Sequence, residues 1–268
     1  MNNLAFLLSS KGDYAGAESL YRRALQGRER ALGPEHPDTL SSMNNLAALL
    51  DSKGDYVGAE SLYRRALQGR EQVLGPEHPH TLISVNNLGV LLFHKGEYVG
   101  AEPLYCRALR ANERVLGPEH PDTLSSVNNL ATLLLQKGDY VGAEPLYRRA
   151  LQGREQALGP EHPDTLASVN NLAELLSRKR DYAGAEPLHR RALQGRERAL
   201  GPEHPDTLTT ADNLAVLLFH KGDYAGAELL LRRTSEVRER ILGPEHSSTL
   251  ASVNNLAFLL NSEGNRSE

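Results

Sequence analysis

Apolar residues recur along this chain at steps of three and four, the spacing of one face of an α-helix. In one stretch they occupy Leu124, Val127, Leu130, Ala131 and Leu134. After a short turn they resume at Ala143, Leu146, Tyr147, Ala150, Leu151 and Leu158. The pattern predicts two amphipathic helices, which we name helix A and helix B. Between them, Gly138 is expected to end helix A and Asp139 to cap helix B, as these residue types do at helix termini.

The predicted helix pair returns every 42 residues. The Asn-Asn-Leu phrase of helix A begins at Asn2, Asn44, Asn86, Asn128, Asn170 and Asn254, and at Asp212 in the sixth copy. Six repeats are complete and a seventh ends after its helix A, with no linker between them. Because such repeats bury their apolar faces by stacking on one another, we predict one all-α solenoid over residues 1–268. It should contain thirteen helices, seven A and six B.

The segment LGPEHPDTL, residues 32–40, places His36 between two carboxylates, residue types that ligate metals and transfer protons. It returns with the repeat, which favours a joint between helices over a metal or catalytic site. Leu-Gly-Pro is a helix stop, and His-Pro-Asp supplies an N-cap, a first-turn proline and an acid that complements the helix dipole. The sixth copy has Ser247 and Ser248 instead of Pro-Asp, and serine also caps helices. We therefore expect no metal and no cofactor.

Composition excludes several classes of function. A net charge of −4 and a pI near 6.2 argue against a binder of nucleic acid or of anionic membranes. The single Cys106 fits a reducing compartment, and the N-terminus has no signal-peptide pattern, so we expect a cytoplasmic protein. Cys106 replaces an arginine of other repeats and is interpreted as a surface thiol without a special role. No phosphate loop, nucleophile elbow or zinc-protease helix is present, so we expect no enzyme.

The phrases NNLA, Gly-Asp-Tyr, AEPLYRRAL and LGPEHPDT, at a 42-residue period, together resemble the tetratricopeptide repeat of the kinesin light chain subclass. The resemblance covers essentially the whole chain. It implies a right-handed α-α superhelix whose A helices line a concave groove and whose B helices form the outer wall. It also implies a non-catalytic scaffold, of the kinesin light chain adaptor type, that binds a protein or a linear peptide in that groove.

Two other functions stay open, because similar repeats also form bacterial scaffolds and the sensor arms of nucleotide-binding receptor proteins. The chain could be such a sensor arm. It could also be a structural array that assembles end to end, since its first and last helices lack the usual capping partners. Both of these ends could instead join missing parts of a longer protein.

The repeats differ most just after Asn-Asn-Leu-Ala, at three positions that the resemblance places in the groove. We predict that the variable residues of repeats three to six contact the ligand: Val90, Phe93, His94, Leu135, Gln136, Glu174, Arg178, Val216, Phe219 and His220. Drift of solvent-exposed positions is the alternative. It seldom introduces phenylalanine, so Phe93 and Phe219 favour a partner-binding role. Both are expected to point away from helix B.

The second asparagine of each Asn-Asn pair also has two interpretations. Asparagine is a mediocre helix former, so its retention inside helix A suggests a task. In the resembled family it hydrogen-bonds the backbone of an extended peptide, and this role maps onto Asn45, Asn87, Asn129, Asn171, Asn213 and Asn255. The alternative is a hydrogen bond to the adjacent repeat, and the two roles are compatible.

Glycines inside helix B break the pattern of good helix formers. Gly27, Gly69, Gly153 and Gly195 each cost about 1 kcal/mol relative to alanine. Close packing or a helix bend would each explain them, and the sequence does not choose between the two.

Overall fold

A computed structural model of the chain describes the backbone of residues 2–10 and 12–267 and the side chains of residues 4–9 and 12–262. Within these residues it contains thirteen α-helices and no strand. The A helices are α1 (Asn2–Ser10), α3 (Pro37–Ser52), α5 (Pro79–His94), α7 (Pro121–Gln136), α9 (Pro163–Arg178), α11 (Pro205–Lys221) and α13 (Ser247–Ser267). The B helices are α2 (Tyr14–Leu32), α4 (Tyr56–Leu74), α6 (Tyr98–Val115), α8 (Tyr140–Leu158), α10 (Tyr182–Leu200) and α12 (Tyr224–Leu242). The predicted all-α fold of helix-pair repeats is confirmed.

The contacts divide the chain into two compact parts, Met1–Lys137 and Gly138–Glu268, which we name the N-terminal half and the C-terminal half. In each half, helix A packs against helix B of its own repeat, and helix B packs against helix A of the next repeat. The organisation of residues 1–268 as a single solenoid domain stays a prediction.

The joint histidines cap the A helices. His36 is extended, with φ −65° and ψ 138°, and its Nδ1 accepts a hydrogen bond of 3.1 Å from the backbone N–H of Asp38. The same bond is present at His78, His120, His162, His204 and His246. The proline after each of the first five histidines occupies the first turn, where its missing N–H leaves no bond unmade. The prediction that this stretch is a joint is confirmed.

The turn from helix A to helix B uses a left-handed residue followed by a side-chain cap. Gly138 has φ +80°, and the carboxylate of Asp139 accepts from the backbone N–H of Gly142 at 2.9 Å, as predicted. In the third repeat Glu97 stands at the cap position and makes no such bond. In the fifth repeat Arg180 takes the place of the glycine and is held at φ +62°.

We expect Arg180→Gly to raise the free energy of unfolding by about 1 kcal/mol. A residue with a Cβ pays roughly this amount to adopt the left-handed conformation, whereas glycine adopts it without steric cost. Urea unfolding of both proteins would measure the difference. Gly138→Arg is the matched reverse change and should lower stability, and equal stabilities in all three proteins would contradict the expectation.

The core consists of leucine, alanine, valine and tyrosine from both helix types. In the N-terminal half, Leu40, Met43 and Leu46 of α3 and Tyr63 of α4 are almost fully buried. The equivalent tyrosines Tyr105 and Tyr147 are buried as well, and burial raises the pKa of Tyr63 and Tyr105. In the fifth repeat this tyrosine is replaced by a fully buried histidine, His189.

Two of the mid-helix glycines allow close packing between helix B and helix A. A Cβ at Gly69 would lie 2.7 Å from Cδ2 of Leu40, and one at Gly195 would lie 2.5 Å from Cδ2 of Leu166. Both distances are shorter than real Cβ contacts, so these positions exclude alanine unless the leucine moves. A Cβ at Gly27 would meet no atom within 4 Å. Close packing therefore explains Gly69 and Gly195, and it does not explain Gly27.

A ladder of ion pairs connects successive repeats. Glu60 of α4 binds Lys95, at the end of α5, at 2.6 Å and Arg64, one turn along α4, at 2.7 Å. The same Lys-Glu-Arg arrangement holds Glu18, Glu144 and Glu186. Hydrogen bonds from the lysine and then from the arginine hold the pKa of all four carboxyl groups below the usual value. The glutamate and arginine of helix B recur from repeat to repeat because the glutamate contacts the lysine of the next repeat.

Candidate functional site

In the N-terminal half, the variable face of helix A carries Phe93 and His94 at the end of α5. Phe93 is half-buried, and its ring centre lies 5.5 Å from that of Tyr98, the first residue of α6. The exposed His94 approaches Asp51 of α3, with 3.0 Å between Nδ1 and Oδ1. Val90, one turn before His94, is half-buried on the same helix. Neighbouring A helices are thus joined across this face by a histidine and a carboxylate.

In the C-terminal half, the same face forms an apolar cavity of ≈ 200 Å³ lined by residues of α11, α12 and α13. We name it the aromatic pocket. Its wall includes Val216, Phe219, His220, Leu231, Asn255 and Phe258. Phe258 and Val216 expose 63% and 42% of their surface, so apolar atoms line an accessible opening. Leu231 stands where four other repeats have tyrosine, and its smaller side chain leaves room in the pocket.

Ring contacts order the aromatic pocket. The ring of Phe219 lies 5.5 Å from that of Phe258 and 5.6 Å from that of Tyr224, in tilted and edge-on arrangements. His220 stacks on Tyr182 with an interplanar angle of 3° and 5.8 Å between ring centres. These geometries are favourable for aromatic pairs and limit the movement of the rings. The predicted residues Val216, Phe219 and His220 are therefore brought together at one site.

Two expectations about this face are wrong. Phe93 and Phe219 do not point clear of helix B, because each ring contacts the tyrosine that begins the following B helix. Leu135 is only 4% exposed, so it belongs to the core and does not line an open groove. Leu133, Leu134 and Leu135 are consecutive leucines, so no polar residue marks where the buried face of α7 ends.

The other predicted contact residues lie on α7 and α9. Gln136 is exposed at the end of α7. Glu174 and Arg178 are one turn apart on α9 and form an ion pair, with 2.8 Å between Oε1 and Nε. The charges of this pair neutralise each other, so the surface of α9 is polar without a strong net charge.

The asparagine pairs hydrogen-bond between adjacent repeats. Asn129 donates through Nδ2 to Oδ1 of Asn86 at 2.8 Å, and Asn213 donates to Asn170 at 3.5 Å. Asn44 donates to the hydroxyl of Ser84 in the next repeat at 3.2 Å. The structural interpretation is therefore confirmed for Asn129 and Asn213. The proposed bonds from Asn45, Asn87, Asn129, Asn171 and Asn213 to a peptide backbone stay a prediction.

A row of arginines at the joints was not recognised from the sequence. Arg28, Arg70, Arg154 and Arg196, which we name the joint arginines, extend from helix B to the first two turns of the next helix A. Nη1 of Arg70 donates to the carbonyl of His80 at 2.7 Å and to the hydroxyl of Ser84 at 2.9 Å. Burial lowers the pKa of Arg70, Arg154 and Arg196. The signal in the sequence is an arginine followed by serine or threonine fourteen residues later.

The last joint replaces this arrangement with a buried ion pair. Asp212, in the place of the first asparagine, pairs with Arg238 and accepts from the hydroxyl of Thr234 at 2.6 Å. The side chains of Arg238 and Asp212 are 8% and 14% exposed. Arg238 also contacts the hydroxyl of Ser252 in α13. The change from asparagine to aspartate at position 212 thus accompanies a rearranged joint.

The described residues hold no group of three or more histidine, cysteine, aspartate or glutamate side chains placed to bind a metal ion. Cys106 is half-buried and forms no disulfide. None of the helices in the described part of the chain combines the length and apolarity that a bilayer crossing requires. The absence of a metal and of catalysis stays a prediction.

Comparison with known proteins identifies similar repeats. A putative kinesin light chain with nearly identical repeats from Podosopora anserina is 26% identical, with 77% of this chain and 98% of that chain covered and a TM-score of 0.64. BtubC (BKLC) from P. vanneervenii is 26% identical, with 84% of this chain and 91% of that chain covered and a TM-score of 0.70. A signal-transduction ATPase from Pyrococcus horikoshii with a tetratricopeptide repeat sensor shares the fold, at 14% identity, coverages of 98% and 38%, and a TM-score of 0.70.

No curated protein matches the chain. The family model described as tetratricopeptide repeat matches residues 1–72, 52–113, 83–156, 125–198 and 164–240. These overlapping matches cover most of the chain and follow the helix pairs of the structure. The chain therefore belongs to the tetratricopeptide repeat family, and its repeats are similar to those of kinesin light chain-like proteins.

Proposed function

We propose that this protein is a non-catalytic scaffold that binds a protein or linear peptide on the variable face of its A helices, as an adaptor of the kinesin light chain type. Tetratricopeptide repeats generally serve as protein-interaction scaffolds. The observation that carries the proposal for this chain is the aromatic pocket, because accessible aromatic and aliphatic walls are typical of interface hot spots. Packing of the helices against one another does not require an accessible apolar pocket.

The partner segment is proposed to be an extended peptide with an apolar anchor. An aromatic or branched aliphatic side chain would enter the aromatic pocket and pack against Phe219 and Phe258, which removes their exposed area from water. Packed helices lie about 8–10 Å apart, and an extended chain advances about 3.3 Å per residue. Each repeat therefore faces about three peptide residues. A polar residue three positions from the anchor would face Glu174 and Arg178 on α9.

The N-terminal half offers a second contact surface of the same kind. Val90, Phe93 and His94 present apolar and polar atoms on α5, beside Asp51. The amides of Asn45, Asn87 and Asn129 are proposed to bond the peptide backbone there, and those of Asn171 and Asn213 in the C-terminal half. Each amide has two N–H donors and one carbonyl acceptor, so a bond to a neighbouring repeat leaves capacity for a peptide.

Phe219→Ala and Phe258→Ala are each expected to weaken peptide binding by about 1 kcal/mol or more, because each removes one aromatic ring from the wall of the aromatic pocket. The ligand would be a peptide selected from a displayed random library on the unmodified protein, and titration calorimetry would give its Kd. Val141→Ala, which alters a side chain 84% exposed at the start of α8, is the matched control and should leave the Kd unchanged.

Thermal melts of the variants would separate loss of binding from loss of folding. Selection of no peptide, or of peptides that bind the two phenylalanine variants as tightly as the original protein, would contradict the proposal. His162→Ala removes a helix cap away from this face and should lower stability without changing the Kd.

A further inference from the structure

A cavity of ≈ 90 Å³ lies at the joint between the third and fourth repeats, within the N-terminal half. Its wall includes Ile83 and Asn86 of α5, Asn112 of α6, and Asp122 and Ser126 of α7. The volume is several times the roughly 10–15 Å³ that one water molecule needs. Asn112 is 7% exposed and stands where the joint arginines Arg28, Arg70, Arg154 and Arg196 stand in other repeats.

A guanidinium group fills the equivalent place one joint earlier. Arg70 donates to the hydroxyl of Ser41 at 3.1 Å, to the carbonyl of His80 at 2.7 Å and to the hydroxyl of Ser84 at 2.9 Å. A shift of 42 residues turns these three partners into Ile83, Asp122 and Ser126, which are all part of the cavity wall. The carbonyl and the hydroxyl are thus present at this joint, and Asn112 bonds both of them in place of an arginine. The hydroxyl of Ser41 has no counterpart, because Ile83 is apolar.

The same pair of acceptors holds a guanidinium at three other joints. Arg28 donates to the carbonyl of Asp38 at 3.1 Å and to Ser42 at 2.7 Å. Arg196 donates to the carbonyl of Asp206 at 2.9 Å and to the hydroxyl of Thr210 at 2.6 Å. Arg154 has the corresponding partners, at 3.2 Å and 2.8 Å. A first-turn carbonyl of helix A together with a hydroxyl one turn later is therefore a repeated guanidinium site in this fold.

Asn112 only partly replaces the missing arginine. Its Nδ2 donates to the hydroxyl of Ser126 at 3.0 Å and reaches the carbonyl of Asp122 at 3.4 Å, which is long for a hydrogen bond. Its own carbonyl adds an acceptor that an arginine cannot offer. Asp122 belongs to the cavity wall, and its side chain is 67% exposed. The carbonyl of Asp122 also accepts from the hydroxyl of Ser126 at 3.1 Å. An incoming guanidinium would therefore replace the long bond from Asn112 as a donor to this carbonyl.

The last joint provides an internal comparison. There Arg238 is drawn to Asp212, and a cavity of ≈ 100 Å³ lies at the equivalent position, with Arg238 in its wall. A cavity is thus present at both joints that lack the usual arginine contacts, the one with Arg238 and the one with Asn112. The positive charge of Arg238 would repel a second cation, so the last joint is unsuited to bind one.

We propose that the cavity at Asn112 binds the guanidinium group of an arginine side chain presented by a partner protein. The planar group would place two of its N–H donors on the carbonyl of Asp122 and the hydroxyl of Ser126. Its charge would lie close to the carboxylate of Asp122. A lysine ammonium is a compact point charge and lacks the planar set of donors that this geometry matches. The site lies at a joint and is separate from the face of the A helices proposed above for peptide binding.

The test uses N-acetyl-L-arginine amide as the probe and N-acetyl-L-citrulline amide as its neutral analogue of the same shape. Amide chemical shifts of the ¹⁵N-labelled full chain would follow the titration. We expect the arginine probe to bind with a Kd on the order of millimolar, as suits a small fragment, and to shift the signals of Ile83, Asn112 and Ser126. The citrulline probe should bind at least about 5-fold more weakly, because it lacks the charge.

Two variants complete the test. Asn112→Arg restores the arginine of the other joints, so it should fill the cavity and abolish binding of the probe. Asp122→Asn removes the carboxylate and should weaken binding about 5-fold. The joint between the second and third repeats has His80 at the equivalent position, so this variant is expected to fold. Equal affinity for the two probes, unchanged binding to Asn112→Arg, or no saturable shift in the original protein would overturn the proposal.

Discussion

Replacing His189 with tyrosine is expected to abolish a loss of stability that the original protein should suffer between pH 7 and pH 5. His189 is fully buried in α10, and burial lowers its pKa to about 4, against a smaller opposing effect of Glu174. Its Nε2 lies 3.3 Å from the hydroxyl of Ser177, and its buried Nδ1 has no hydrogen-bond partner among the described residues. The folded state therefore holds the ring neutral.

The direction of the pH dependence follows from the two pKa values. In the unfolded chain the histidine binds a proton below its ordinary pKa of 6.5, while the folded chain resists protonation down to about pH 4. Stability is thus full above pH 6.5 and falls as the pH drops towards 4. The loss is about 2 kcal/mol at pH 5 and about 3 kcal/mol in total. Urea unfolding at pH 7 and pH 5 would measure it.

Two His189 variants make this test specific, and the carboxyl groups of the ion pairs affect stability only in a more acidic range. His189→Tyr restores the residue of four other repeats, and His189→Leu copies Leu231 of the sixth repeat, so both should fold. Both should lose about 2 kcal/mol less than the original protein between pH 7 and pH 5, because they lack the buried imidazole. Glu144 and Glu186, whose pKa values are lowered by their lysine and arginine partners, destabilise the fold only at more acidic pH. An equal loss in all three proteins would refute the assignment to His189.

Arg70→Ala is expected to lower the free energy of unfolding by about 2 kcal/mol. Three hydrogen bonds from a cation, worth about 1.5 kcal/mol each, are set against the cost of removing that cation from water. The residue is 5% exposed, and its partners belong to the first turn of the next helix A and to Ser41. Without the guanidinium these groups lose their bonds, and the joint loses packing.

Arg70→Asn is the matched variant, because the third joint carries Asn112 at this position. That asparagine keeps bonds to the carbonyl and to the hydroxyl, so the variant should lose less stability than Arg70→Ala. Urea unfolding would rank the variants, and hydrogen exchange should detect lost protection at the end of α4 and the start of α5. If Arg70→Ala were as stable as the original protein, desolvation would cancel the three bonds, and the joint arginines would have no net stabilising role.

The helices and their boundaries follow from local chemistry, which explains why the sequence predicts them well. His36 caps α3 and Gly138 ends a turn because of interactions among residues close in sequence, and such interactions are encoded in a short segment. The 42-residue period then predicts that the same caps and turns recur in each repeat. The replacement of a turn glycine by Arg180 leaves the helix boundaries in place, because the flanking signals are unchanged.

The candidate site depends on contacts between repeats, which the sequence pattern determines less completely. Leu135 belongs to a variable column whose other members are more exposed, yet it is buried. Phe219 was recognised as a site residue, but its contacts with Phe258 of the next repeat required the structure. The role of Arg70 was missed because an arginine on a helix resembles any solvated charge until its acceptors in the next repeat are located.

The ion-pair ladder uses the same two positions of the repeat at successive junctions. At the five junctions between the first six repeats, the lysine at the end of helix A meets a glutamate 35 residues before it. Both partners belong to every complete copy, one facing the previous repeat and the other facing the next. Recombination that inserts or removes one whole 42-residue copy would therefore create a new junction with matched charges. The number of repeats can change during evolution without any new interface having to arise.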